Sequence, residues 1–322
     1  LVGLLGALVA TNQPAALSNL VLKTTGAAIS VPDPNDKAEQ ELAKIMADDN
    51  AAQADADRWI EENQKFAANG GGMSEAELSQ KIRQRFEAVQ KAYQDFIAAH
   101  PSNVRARIAY ASFLGDTGGE QAAREQLEKA LALDTNNPAI YNNLANIEGH
   151  TGDPKKAFEY YAKAIQLNPR EPVYFHNFGT TVYLFRKDAR EYYNITEYEV
   201  FNKALFLYSN ALHLDPNNFP LATDIAQGFY AIKPFRLEAA LQAWTNALNI
   251  ARDEVEREGT YLHFARTYII AGNFPEARNQ LHAVTNSMYD DLKRRLQRTL
   301  EEKEREGKGA SPADATNTAA SK

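Results

Sequence analysis

Between Ser74 and the His100-Pro101 pair, large apolar side chains stand at Leu78, Ile82, Phe86, Val89, Tyr93 and Phe96, three or four positions apart. Because 3.6 residues complete a helical turn, this spacing gathers them on one stripe of an α-helix. Ser74 with Glu77 supplies a capping-box start. No later stretch sustains the two-residue alternation of a strand, so the pattern predicts an all-α chain. Upstream the pattern fades. Residues 31–73 are rich in acids, Ala, Asn and Gln and end in Gly70-Gly71-Gly72 and Met73. Their few large apolar residues, among them Ile45, Trp59, Ile60 and Phe66, predict a linker or loosely docked arm with short solvated helices, for example Asp36 through Met46. The glycine run lacks both a following Gly-Lys-Ser/Thr and a preceding strand, so it reads as linker rather than phosphate loop.

Self-similarity at fixed spacing organises the remainder. Tyr141, Leu144, Ala145, Ala157, Tyr161, Ala164 and Pro169 fall 34 residues after Arg107, Tyr110, Ala111, Ala123, Leu127, Ala130 and Thr135, and Pro101 lies 34 residues before Thr135. Three further units follow: Phe175, Phe178, Gly179, Val182, Ala204, Tyr208, Ala211 and Pro216; Ile225, Ala226, Phe229, Ala240, Trp244 and Ala247; Tyr261, Phe264, Ala265, Tyr268, Ala277 and Leu281. Insertions stretch the step from Ala164 to Ala211 to 47 residues and that from Ala211 to Ala247 to 36. An aromatic, a small-residue pair, an Ala-x-x-x-aromatic and a terminal proline at this period resemble the tetratricopeptide repeat family.

The resemblance implies a right-handed α-solenoid of about five helix-turn-helix units over residues 74–306, with helix 75–99 as an N-terminal half unit and a charged capping helix at 289–306. The alanines suit positions where two helices cross, since a larger side chain would push the axes beyond the 8–10 Å of close packing. Asp153-Pro154 supplies a helix start, Asn273 with Pro275 a similar one, and Thr117 with Glu120 a capping box. Glu148 stands where an aromatic or Leu is usual; it is expected as an exposed carboxylate, the alternative being a pair with Lys155 or Lys156. Arg107 and Ala222 weaken the first and fourth units.

In this family the first helix of each unit lines a concave groove that holds peptide or protein segments. Carried over by position, the groove presents Arg105, Ile108 and Ser112; Asn142 and Asn146; His176, Thr180 and Tyr183; Thr223, Gln227 and Tyr230; and Leu262, Arg266 and Ile269. Of these Asn142, Asn146, His176, Thr180, Tyr183, Thr223, Gln227, Tyr230 and Arg266 are the candidate ligand contacts, their amides suited to an extended backbone and their rings to apolar side chains. A solvated groove without a ligand is the alternative. Relatives that clamp chaperone C-termini use lysines that are absent here, where Asn142, His176 and Thr180 occupy comparable places. Between residues 174 and 208 lie eleven of the chain's 32 aromatics. A loop over Arg186 to Ile195 is expected there, then a second helix starting near Glu197 behind a Thr196/Glu199 capping box. Tyr192 and Tyr193 either pack this longer helix pair or project as an interface.

Composition narrows the function. Of 322 residues none is cysteine, which removes disulfides, thiolate nucleophiles and cysteine-ligated metals. Thirty-five Lys and Arg against 42 Asp and Glu leave a net charge of −7, without the basic excess that nucleic acid requires. The six histidines form no pair at metal-ligand spacing, and no nucleophile elbow, dinucleotide fingerprint or Walker loop occurs. These absences disfavour catalysis, and the tetratricopeptide resemblance implies a non-enzymatic protein-protein interaction scaffold with no cofactor and no metal. The alternative is a structural subunit of a larger envelope or secretion complex, docked through its aromatic insertion and outer face. Residues 1–30 open on the apolar run LVGLLGALVA, far short of the roughly 20 residues of a membrane span but of the length of an export-signal core. A truncated signal would make the protein periplasmic or secreted, a fraying terminus cytoplasmic. Residues 307–322, rich in Ala, Ser, Thr, Asp and Lys, are expected as a disordered tail.

Overall fold

The computed structural model describes residues 36–67 and 70–309, and the expected signal run and most of the expected tail lie outside them. Every regular element described is helical, as the periodicity predicts. The helices are α1 (Lys37–Ala67), α2 (Glu75–Ala99), α3 (Val104–Asp116), α4 (Glu120–Leu133), α5 (Pro138–Thr151), α6 (Pro154–Leu167), α7 (Pro172–Leu184), α8 (Arg186–Tyr193), α9 (Glu197–Leu214), α10 (Phe219–Gly228), α11 (Leu237–Asn249), α12 (Glu254–Ile270), α13 (Phe274–Ala283) and α14 (Asp290–Gly309). The chain divides into two units, residues 1–181 and 182–322, each taken by itself below.

In the first unit α3 packs on α4 and α5 on α6 as antiparallel pairs. Their crossings are made by Ala123, Ala130, Ala145, Ala157 and Ala164, all at 0% exposure. Between them Tyr110, Phe113, Leu127, Ile140, Leu144 and Ile147 fill one core. Helix starts follow their sequence signals: Asp153 accepts from the Lys156 N–H, and Asn137 and Asn103 cap α5 and α3 in the same way. The expected capping box at Thr117 does not form. Gly118, at φ 84°, turns the chain first, so α4 starts after Gly119 while the Thr117 hydroxyl donates back to the Phe113 carbonyl at 2.9 Å.

Two expectations are corrected in this unit. The described part of residues 31–73 is not mainly linker, because α1 is a 31-residue helix that pairs with α2, and the expected half unit is a full helical hairpin. Large apolar surface is not what holds it. Ala52 and Ala56 let the axes approach, Leu42 is buried, and Ala38, Ile45 and Met46 pack on the core shared with Val89, Tyr93 and Phe96. Polar contacts do the rest: Arg85 of α2 reaches Asp48 at 2.6 Å and Asp55 at 3.2 Å, Tyr93 donates to Asp49 at 2.9 Å, and Arg105 of α3 pairs with Glu39. Burial pushes the Asp49 carboxyl up to about 6 against the opposing pull of the Tyr93 bond. The second correction concerns Glu148, which is buried at 4% exposure and, as in the alternative reading, paired with Lys156 at 2.8 Å, with Arg124 as a second base. Desolvation would raise its pKa, but hydrogen bonds and charge from these two bases outweigh it and hold the carboxyl below its usual range.

In the second unit α10 packs on α11 and α12 on α13, with Ala204, Ala211, Ala226, Ala240, Ala247, Ala265 and Ala277 buried as the repeat requires. The capping box at Thr196 and Glu199 forms and α9 begins at Glu197. The loop expected over Arg186 to Ile195 is instead mostly helix α8, closed by Asn194 in the left-handed conformation at φ 52°. As expected, a charged helix caps the end: α14 lays Leu296 and Leu300 against the α12–α13 core. It continues to Gly309, past the point where the tail was expected to begin. Its approach is fixed from α12. The Glu258 carboxylate accepts the Thr285 and Asn286 N–H groups at 2.9 and 2.7 Å, and the Tyr289 hydroxyl donates to the Val255 carbonyl at 2.8 Å.

Two stability predictions follow from these contacts. Replacing both Arg124 and Lys156 by Ala strands the Glu148 carboxylate, and urea denaturation at neutral pH should show a loss of about 3 kcal/mol. An unchanged midpoint would mean that Glu148 is not held by these bases. Gly259→Ala would place a Cβ 2.9 Å from the Tyr289 hydroxyl, so the melting temperature of the second unit should fall. The control Gly115→Ala, on α3 of the first unit, meets nothing within 4 Å and should leave the melting temperature of its own unit unchanged or raised.

Candidate binding surfaces

The candidate groove residues of the first unit lie on α5 and α7, and most of their polar atoms face other helices. Asn142 is fully buried and its Oδ1 accepts from Asn177 Nδ2 at 3.1 Å. A residue at 0% exposure cannot meet a ligand, which corrects its place in the groove. Asn146, half-buried, accepts from the Tyr161 hydroxyl at 2.6 Å, and the Thr181 hydroxyl lies 3.3 Å from the same phenol oxygen. Burial drives the Tyr161 phenol pKa well up, so it is a hydrogen-bond donor throughout the physiological range. This ladder fixes the register of α5 against α6 and α7. His176 and Thr180 are half-buried on α7 and each has polar or ring partners of its own.

In the second unit one group of candidates does come together. The Tyr230 ring stacks against His263, whose imidazole lies 4.2 Å from the buried Trp244 ring at an angle of 11°. The Tyr230 hydroxyl is 3.2 Å from His263 Nδ1 and donates to the His263 carbonyl at the same distance. Over the outer face of Tyr230 lies the exposed Arg266 guanidinium, 4.4 Å from the ring centre. Arg266 is therefore a cation held by a ring, open on its other side to a carboxylate or carbonyl. Gln227 is exposed on α10, whereas the Thr223 hydroxyl is turned back to the Pro220 carbonyl at 2.8 Å. Tyr183 is packed, its ring 6.0 Å from Phe201 and 5.4 Å from the Arg186 guanidinium.

The aromatic insertion divides between the two readings given to it. Tyr193 is half-buried with the Lys203 ammonium 4.1 Å over its ring, while Tyr192 meets it edge-on and keeps 39% of its surface exposed. The broader exposed apolar surface is on α9, where Tyr198 and Phe206 are 53% and 66% exposed. Their eight-residue separation puts both on one helix face, a signal present in the sequence. Arg236 covers Tyr198 at 4.2 Å and donates to Asn202 at 2.8 Å.

Among the described residues no group of three His, Cys, Asp or Glu side chains could hold a metal, and no helix is long and apolar enough to cross a membrane. The tetratricopeptide repeat family profile matches residues 138–171, which span α5, α6 and the turn after them. No curated protein matches the chain. Among solved structures it is similar to PilW, described as a widely conserved type IV pilus biogenesis factor: 17% identity, 69% of this chain and 94% of that one covered, TM-score 0.52. PilF of Pseudomonas aeruginosa is similar at 17% identity over 78% of this chain and 99% of that one, TM-score 0.50.

The Trp244–His263–Tyr230 stack makes a pH prediction for the second unit. Burial first, and the Arg266 charge second, lower the His263 pKa from the ordinary imidazole value near 6.5 to about 4. As pH falls below 6.5 the unfolded chain takes up this proton before the folded one does. Stability is thus complete above pH 6.5 and drains away toward pH 4, by about 3 kcal/mol in all. Guanidinium denaturation of a Trp59→Phe chain, followed by Trp244 fluorescence at pH 7.5 and 4.5, should show the difference, and adding His263→Phe should abolish most of it. Equal pH dependence in the variant would assign the effect to other groups.

Proposed function

Because the chain is a tetratricopeptide-repeat protein, we propose that it serves as a non-enzymatic scaffold that binds protein or peptide segments through the first helices of its repeats. The observation that carries this is Arg266, exposed and held on the Tyr230 ring. A guanidinium fixed in that way loses little freedom on meeting a carboxylate or backbone carbonyl, so the contact is pre-organised. Gln227 adds an exposed amide on α10. In the first unit Asn146, His176 and Thr180 offer half-exposed polar groups, while Asn142 serves the packing of α5 on α7.

The second reading, a permanently docked subunit, is favoured by one feature, the exposed face of α9 with Tyr198 and Phe206, to which the exposed Tyr192 of α8 adds a third large apolar side chain. The similarity to PilW and PilF bears on fold alone at 17% identity. The proposed setting, periplasmic or secreted, rests on the apolar residues 1–10.

Display of random unstructured peptides against the full chain tests the scaffold reading. Selected peptides should bind with micromolar affinity, and Arg266→Ala should weaken them about tenfold without moving the melting temperature, as expected for an exposed contact. Asn142→Ala should do the opposite, lowering the melting temperature with little direct effect on affinity. If no peptide is selected, and Tyr192→Ala with Tyr198→Ser and Phe206→Ser alone prevents co-purification with native partners, the docked-subunit reading replaces this one.

A further inference from the structure

The α1–α2 hairpin extends past the core it helps to build. Buried residues of α1 end at Ala56 and the core contacts of α2 begin at Phe86, so Asp57 to Ala67 continue beyond the core by about 16 Å at a helical rise of 1.5 Å. At the far end Phe66, Ile60 and Met73 are 62%, 39% and 38% exposed. Phe66 and Met73, with Trp59, line a pocket of about 440 Å³ whose polar side is Glu62, Asn63 and Glu77.

This pocket is built rather than incidental. Asn63 holds the Met73 backbone from both sides, Nδ2 donating to its carbonyl at 3.1 Å and Oδ1 accepting its N–H at 2.7 Å. Gly72 sits at φ 111°, and a Cβ there would come within 2.9 Å of Asn63 Oδ1, so only glycine permits the close approach. Immediately afterwards the Ser74/Glu77 capping box fixes the start of α2. Polar contacts therefore hold an apolar floor open to water, the reverse of what a loop closed only for stability needs.

Both charged side chains that line the pocket, Glu62 and Glu77, are acidic. Nearby Lys65 is committed to Glu61 at 2.6 Å and Lys81 lies on the Trp59 ring at 4.0 Å, while Arg58 pairs with Asp55 at 2.7 Å and stands 4.0 Å from Glu62, and Glu77 accepts from the Ser74 N–H and hydroxyl through one carboxylate oxygen, Oε2. We propose that the hairpin tip is a second docking site, distinct from the repeat helices, for a partner segment that inserts one large apolar side chain on Trp59, Phe66 and Met73 and places a flanking Lys or Arg against Glu62 and Glu77. Apolar burial supplies affinity and the acids select the flank.

The test uses the full chain and three synthetic peptides: one alternating Lys with Leu and Phe, one with Glu in place of Lys, and one with Ser in place of Leu and Phe. Fluorescence anisotropy should show binding of the first alone, weakened by salt. Phe66→Ser and Glu62→Lys should each reduce its affinity on the order of tenfold, with Met73→Ser as a second apolar probe, whereas Arg266→Ala should leave it unchanged. Equal binding of the three peptides, or affinity indifferent to the tip variants, overturns the proposal. So does sedimentation showing a dimer that Phe66→Ser dissolves, which gives the tip to a second copy. Tenfold tighter peptide binding by a chain starting at Asp36 likewise overturns it, by giving the tip to the preceding residues.

Discussion

Each repeat depends on a methyl group being the largest side chain that fits where its two helices cross. Ala123, Ala130, Ala145, Ala157, Ala164, Ala211, Ala240, Ala247 and Ala277 are all at 0% exposure. An alanine there contributes little apolar area of its own. It sets the interaxial distance at which the neighbouring aromatics make contact across the pair. Phe158 and Tyr161 against Phe178, and Tyr230 with His263 against Trp244, are the contacts that this spacing allows. Adding one methylene at a crossing would separate whole helices, whereas removing one from an aromatic leaves a local void. The alanines consequently govern the geometry and the aromatics most of the burial.

This division explains what the sequence reveals. The crossings repeat at 34 residues, so the helix pairs, their starts at Asp153 and Thr196 and the closing helix are legible from spacing and capping chemistry. What escapes is interaction between residues remote in sequence. Glu148 reads as exposed because its partner Arg124 lies on another helix, and Asn142 reads as a ligand contact because its partner Asn177 is 35 positions away. A buried amide and an exposed one are identical letters at identical repeat positions. The α8 helix escapes for a different reason: Arg186–Tyr193 is seven polar and aromatic residues around the single Ala189, too short to show a period.

Helix α1 is the instructive omission. Its seam runs through Ala38, Leu42, Ile45, Asp49, Ala52, Ala56, Trp59, Asn63 and Phe66, in alternating steps of four and three. That is a heptad pattern with alanines and polar residues at half its places. Counting large apolar side chains hides it; asking which small or polar residues recur at heptad spacing reveals it. Asp49 and Asn63 then acquire partners on the antiparallel helix, Tyr93, and in the turn, Met73.

The same accounting separates surfaces that serve the fold from surfaces available to partners. Most polar side chains on α5 and α7 are spent on register between helices, so polarity at a groove position is weak evidence for a ligand there. Arg266 and the hairpin tip differ in kind. Each combines exposure with a fixed geometry, the one through a ring beneath the guanidinium and the other through a backbone pinned by Asn63. Ordering a side chain or loop before a ligand arrives lowers the entropy lost on binding, while adding little to the stability of an exposed element. Where polar contacts hold a group in the open rather than bury it, their consequence falls on recognition more than on folding.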